Sequence, residues 1–325
     1  MILQRVGMVA LAVPLFAVCA ASSAAPPAVA VPLAIHGSQA TVEIGPVLLT
    51  ARTLYGADDI VRDGGIPNLV GVTDPSFGEP GVADIATHAE TQALRYSVDN
   101  PGVRIILTVT EGHYRIVARR SAGIESIADL EGKRIATLAP TSAGYFLGRM
   151  LAREGLTIRD VEAIRVSPER MNEALENREV DAVAIWEPFA GNAAEALGED
   201  IVEFGGEGVY RELFNLNSTA ANLADPEKRE RIVAFVRALI DATGRIAEDP
   251  SEAQALVAAT AGFTPDEIVR SWPYLSFPAA LPDDLLDVLV EEELWLADQS
   301  DRPPRSRAEL SALIDPSIYE EALAR

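Results

Sequence analysis

Short apolar runs alternate along this chain with longer runs of helical spacing. That alternation leaves few architectures open. "AVPLAIHG", "NLVGVTD", "VADIAT" and "VRIILTVTEG" read as strands, with "PSFGEPG" supplying turn chemistry between the second and third. "PVLLTARTLYG" reads as a helix with Pro46 in its first turn and Gly56 past its end. After the strand "YRIVARR" a second unit begins. "SIADLEGKRIATLAP" predicts a helical turn, a glycine and a strand, and "TSAGYFLGRMLAREG" a helix ending in glycine. "VEAIRVS" and "DAVAIWEP" are strands flanking a helix that opens at Ser167-Pro168, and "FAGNAAEALG" is helical. "YRELFNLNSTAANL" reads as a strand pair returning to the first unit, and from Asp225 onward the chain is mostly helical. The expectation is an α/β fold with mainly parallel sheets.

The 325 residues are 48% hydrophobic and 23% charged, enough for one large or two modest cores. The N-terminal "MILQRVGMVALAVPLFAVCAASSAAPP" has one arginine, an apolar run and then small residues. That is a secretory leader, with cleavage expected near Ala24 or Ala25 and a leader of 1–25. No later run approaches about 18 uninterrupted apolar residues. The only cysteine, Cys19, lies inside the leader, where "FAVC" is a poor lipidation motif, so release into the periplasm is expected over lipid anchoring. A mature chain without Cys19 has no thiol, which removes disulfides, Cys nucleophiles and thiolate metal sites together. The formal charge of −22 argues against nucleic acid as a partner. Lys133 and Lys228 are the only lysines open to Schiff-base chemistry.

"LAPTSAGYF" puts Thr141 and Ser142 between a strand end and a helix start. Free amides, hydroxyls and the positive end of the helix dipole there suit an anion. An ordinary N-cap needs the same residues. Tyr145 follows one turn in. "AIWEP" puts Trp186 and Glu187 at the carboxyl end of a strand, where open α/β sheets bind ligands. Trp186 is a ligand wall or a core aromatic, and Glu187 a ligand acceptor or a hinge hydrogen bonder. Three histidines, His36, His88 and His113, each end an apolar run, with Glu90 and Glu111 beside them. If the three strands are parallel, all five residues emerge at one edge. They would then contact a ligand, bind a metal such as Zn²⁺, or be satisfied singly by backbone. Gln39 and Thr41, in "HGSQATVEIGP", are candidate contacts from the first loop.

The run "SIADLEGKRIAT…TSAGYFLGRMLAREGL…VEAIRVSPERMNEALENREVDAVAIWEP", with "DPEKRERIVAFVRAL" and the closing "IDPSIYEEAL", resembles a known family. It is similar to the periplasmic solute-binding proteins of ABC importers for sulfonates, taurine, nitrate and thiamine-pyrimidine precursors. That resemblance implies a two-lobed type II periplasmic binding protein fold with a ligand cleft between lobes. Lobe one would be residues 33–115 plus 220–325, and lobe two 116–219. "HYRIVARR" and the "NLNSTAANL" region would be the crossovers. A monomer without a cofactor is expected. Such a protein traps a small anionic or zwitterionic solute and delivers it to ABC permease and ATPase subunits. The family's first lobe carries a helix ahead of the "DIAT" strand for which this sequence leaves little room.

Two rival readings stay open. Enzymes on the same fold include pyrimidine synthases and a sulfinate desulfinase, which depend on cysteines. A His/Glu metal hydrolase would use Glu90 or Glu111 as base. A ligand-sensing accessory protein would look the same in sequence.

Overall fold

The computed structural model describes residues 32–72 and 78–324. The expected leader and Cys19 lie outside them. The first unit opens with β1 (Ile35–Gly37), α1 (Gly45–Tyr55), β2 (Val61–Asp63), α2 (Ile66–Leu69), β3 (Ile85–Ala89), α3 (Glu90–Asp99) and β4 (Val103–Gly112). The second unit holds β5 (Arg115–Arg119), β6 (Arg134–Ala136), α4 (Ser142–Ala152), β7 (Glu162–Ile164), α5 (Met171–Glu176), β8 (Ala182–Ile185), α6 (Phe189–Leu197) and β9 (Ile201–Gly205). The chain returns as β10 (Glu212–Thr219) and α7 (Ala220–Ala224). It continues through α8 (Pro226–Glu248), α9 (Ser251–Ala261), α10 (Pro265–Ser271) and β11 (Leu275–Ser276). It closes with α11 (Leu285–Gln299), α12 (Arg307–Ser311) and α13 (Ser317–Leu323).

Two sheets result, in the orders β11-β4-β10-β3-β1-β2 and β7-β6-β8-β5-β9. Each has its own apolar core. Ile35, Ile85, Leu107, Phe214 and Phe235 pack in the first unit, and Ile116, Phe146, Leu175 and Val183 in the second. A third cluster, with Ile105, Leu213 and Leu289, covers the other face of the first sheet. Burying such side chains is worth about 1.5–3 kcal/mol each.

The sheets are mixed rather than mainly parallel. β1 pairs in parallel with β2 and β3, and β6 with β7 and β8. The strands on either side of the crossings, β5, β9 and β10, make antiparallel pairs. A chain that leaves one sheet and returns from the other must reverse direction, and apolar pattern does not encode that reversal.

Several local expectations are corrected. The described part of "NLVGVTD", residues 68–72, is not a strand. Pro67 sits in the first turn of α2, and the edge strand β2 lies upstream at Val61–Asp63. A single helical turn, α2, stands between β2 and the "DIAT" strand. "YRELFNLNSTAANL" is one strand and a helix, not a strand pair, and β10 lies between β3 and β4. The return crossing therefore runs through residues 206–211, and "NLNSTAANL" belongs to the first unit. Helix α3 and strand β9 fall in stretches that the apolar pattern left unassigned. The "PSFGEPG" turn lies partly outside the described residues, and the two-residue strand β11 interrupts the stretch expected to be mostly helical. Gly56 caps α1 in the left-handed conformation (φ 71°), and Asp225 caps α8 by accepting from the amides of Glu227 and Lys228.

Candidate functional site

Between the facing edges of the two sheets lies a cavity of about 510 Å³. The first unit contributes Ser38, Ala40, Thr41, Asp63, His88, Gln92, Arg95, Glu212 and Phe214. The second contributes Leu138, Pro140, Thr141, Ser142, Arg165, Glu169 and Trp186, and Tyr114 sits at the crossing.

One wall is the start of α4. Thr141 has extended backbone; its Oγ1 accepts from the Ala143 amide (3.2 Å) and donates to the Leu138 carbonyl (2.8 Å). Its carbonyl takes the amides of Gly144 and Tyr145. Thr141 thus performs the capping role, while the Ser142 hydroxyl pairs with the Tyr114 hydroxyl at 3.0 Å. Gly144 is required here. A Cβ on it would lie 2.1 Å from the Ala139 carbonyl oxygen, so only glycine lets the loop fold back onto the helix.

His88 forms the opposite wall. Its Nδ1 accepts from the Ile66 amide across 3.4 Å, which assigns the proton to Nε2. Gly65 lets the imidazole lie this close to α2, because a Cβ there would stand 2.5 Å from Nδ1. Burial, and secondarily the positive charge of Arg95, push the His88 pKa down to about 4. The ring is therefore a neutral donor at pH 7. Arg95, on α3, donates to the Pro140 carbonyl (3.0 Å) and so bridges the two walls.

The floor is acidic. Glu212 lines the cavity, and behind it lie Glu43, Glu90 and Glu292, all essentially inaccessible. Glu90 accepts from the Tyr210 hydroxyl (2.6 Å) and the Leu213 amide (2.8 Å). Burial raises all four carboxyls, Glu43 to about 7.

Of the residues singled out from sequence, Thr41, His88, Thr141, Ser142 and Trp186 line this cavity. The others stand elsewhere. β1, β3 and β4 do run in one direction, each of β3 and β4 being antiparallel to β10, but their histidines do not meet. His36 is buried against Gly64 and Gly81, and burial lowers its pKa. His113, beyond β10, lines a separate cavity of about 320 Å³ with Tyr145, Arg149 and Glu291. Three imidazoles in three environments do not form one metal-ligand set. Glu111 pairs with Arg211. Gln39 donates to the Val61 carbonyl (2.6 Å), tying down the loop it sits in. Glu90 is sealed beneath the floor. Tyr145 turns away from the cleft to pack on Trp295 and Tyr210, its hydroxyl accepting from Arg149.

Glu187 sits at the crossing. Its Oε1 accepts from Arg115 Nε (3.0 Å) and its Oε2 from the Gly191 amide (3.1 Å), and the Arg115 guanidinium stacks on the Tyr274 ring at 3.8 Å. Burial raises the Glu187 carboxyl even against the pull of Arg115. Trp186 faces the cleft with one side and packs on Tyr114 and Phe189 with the other. Lys133 bonds the Ala122 carbonyl and Lys228 pairs with Asp84; neither lines the cavity.

Sequence reasoning missed Gln92, Arg95, Tyr114, Arg165, Glu169 and Glu212. Recognising a helix from Glu90 would have placed Gln92 and Arg95 in its first turns. Nothing local marked Glu212, because its position depends on β10 lying beside β4.

A sequence model of the NMT1/THI5-like family matches residues 77–253, just over half of the chain. The chain belongs to that family. A protein of Escherichia coli K12 named as an aliphatic sulfonates-binding protein is 26% identical over 265 residues, covering 77% of this chain and 73% of the relative. Binding-protein relatives from Brucella abortus are 33% identical over only 81 residues, so this chain matches 25% of their length. Among solved structures, the alkanesulfonate-binding protein SsuA of Xanthomonas axonopodis pv. citri, bound to MOPS, superposes with a TM-score of 0.64. The two are 21% identical over 90% of this chain and 99% of the other, a match of fold. The architecture is the two-lobed α/β fold of periplasmic binding proteins.

Proposed function

We propose that this family member is a periplasmic solute-binding protein that captures a small anionic or zwitterionic organic solute in the interlobe cleft and hands it to an ABC importer. The supporting observation is the cleft itself. The N-terminus of α4 with the Ser142 hydroxyl and the neutral His88 ring line one cavity together with Arg95 and Arg165. Helix-terminal dipoles, hydroxyls and arginines favour an anion despite the net negative surface. The names of the matched relatives point the same way. We place lobe one at residues 33–112 plus 212–324 and lobe two at 115–205, with the short crossings as the hinge. Ligand touching both lobes favours the shut state. Residues 1–25 act as a cleaved export leader, and the mature protein works as a monomer. In this reading no bond is made or broken, and the two lysines that pyridoxal chemistry requires lie off the cleft.

A thermal-shift screen of the exported protein tests this, using sulfonates, taurine, nitrate, aromatic carboxylates and pyrimidines. A cognate solute at a hundredfold excess over Kd adds about 2.7 kcal/mol of stability. No stabilisation by any anionic or zwitterionic class would sink the reading.

A further inference from the structure

The cleft floor poses a charge problem. Glu212 lines the cavity, is 4% exposed, and has an Oε2 with no hydrogen-bond partner among the described residues. Glu43 is 1% exposed, and its Oε2 is also unpartnered. The two carboxyls converge over Gly112. From the position a Cβ would occupy there, Glu212 Oε2 is 2.7 Å away and Glu43 Oε1 is 3.4 Å away. The groups packed around the pair are Glu90 on α3, Glu292 on α11, Glu187 after β8, His88 on β3, and Tyr114 and Tyr210 at the crossings. All are acidic or neutral. Arg95 bonds the Pro140 carbonyl, Arg115 bonds Glu187 and Arg211 bonds Asp284, while Arg165 lines the second unit's wall of the same cavity.

Two buried carboxylates without a counter-charge cost several kcal/mol each. A positive charge must be supplied, either by a proton or by whatever enters the cleft. In the empty cleft a proton fills the role, since burial raises both carboxyls. The anion-binding wall is close by, because the Tyr114 hydroxyl that faces Glu212 also pairs with Ser142.

We propose that Glu212, backed by Glu43, is an ammonium site. A small solute with a protonated nitrogen a few bonds from its anionic group seats that nitrogen on Glu212 and displaces a proton from the carboxyl pair into solvent. One positive charge replaces another, so the charge of the site is unchanged and binding releases a proton. This rests on the solute-binding reading and adds to it the second pole of the ligand and the exchanged proton.

The test is titration calorimetry of the mature protein at pH 7 in two buffers of different ionisation enthalpy. Matched probes are taurine against ethanesulfonate, and β-alanine against propionate. The expected result is binding at least about tenfold tighter for the nitrogen-bearing member of a pair, with proton release, and loss of both effects in Glu212→Gln. Glu43→Gln is expected to reduce the proton release. Circular dichroism melts establish that each variant is folded. In ligand-free protein at pH 7, infrared absorption from protonated carboxyl groups is expected, diminished in each variant. Binding of ethanesulfonate or propionate with no gain from the nitrogen overturns the proposal but leaves the anion-binding reading standing. Gain without proton release, survival of the preference in Glu212→Gln, absence of the infrared absorption, or silence from all four probes also overturns it.

Discussion

His88 lines the cleft with its Nδ1 held by the Ile66 amide. With its pKa near 4, the ring stays neutral across the physiological range. Affinity for an anion should therefore change little through His88 between pH 8 and 5, and His88→Ala should cost about 1 kcal/mol of binding at any pH in that span, read by calorimetry. Stability behaves differently. The unfolded imidazole takes a proton below about 6.5 while the folded one resists until about 4. The unfolded state thus binds more protons in that window, and stability falls as pH drops through it. His88→Gln should flatten this limb in urea titrations. The position of His88 was readable from sequence as a strand-end residue. Its tautomer was not, since the amide that sets it is 22 positions away.

At the scale of the element, the loop into α4 shows how one glycine shapes a cavity wall. Gly144→Ala drives a Cβ into the Ala139 carbonyl, so it should destabilise by about 2 kcal/mol or more and displace Thr141 and Ser142. Thr141→Ala removes only the cap and should cost about 1 kcal/mol, seen as a lowered Tm. α11 carries another local device. Burial pushes the Glu293 carboxyl up, but bonds from Arg302 and Arg305 outweigh it and hold the pKa at about 2. This stabilisation is complete above the unfolded value near 4.5 and is lost as pH falls towards 2. Arg305→Ala should shrink that acid-dependent loss in a pH series of denaturant melts.

The whole molecule is held in its present form by contacts that cross between lobes. Arg95 reaches Pro140 near the cleft. Arg149 pairs with Glu291, Asn192 with Glu267, and Phe189 packs edge-on to Phe263. The Arg95 contact is exposed, so Arg95→Ala should weaken solute binding by less than about tenfold and leave Tm nearly unchanged. A fall in Tm as large as that of Gly144→Ala would show instead that Arg95 holds up the fold. Sequence alone determined the alternation of strands and helices, the caps at Gly56, Thr141 and Asp225, and the family. These depend on side-chain periodicity and on turn chemistry within a few residues. Only the tertiary structure decided which strand ends share a cleft. His88 faces it and His113 does not, because β10 passes between their strands and separates the edges. Glu212 meets Glu43 for the same reason. Strand order is fixed by the burial of whole sheet faces, and no local spacing carries it.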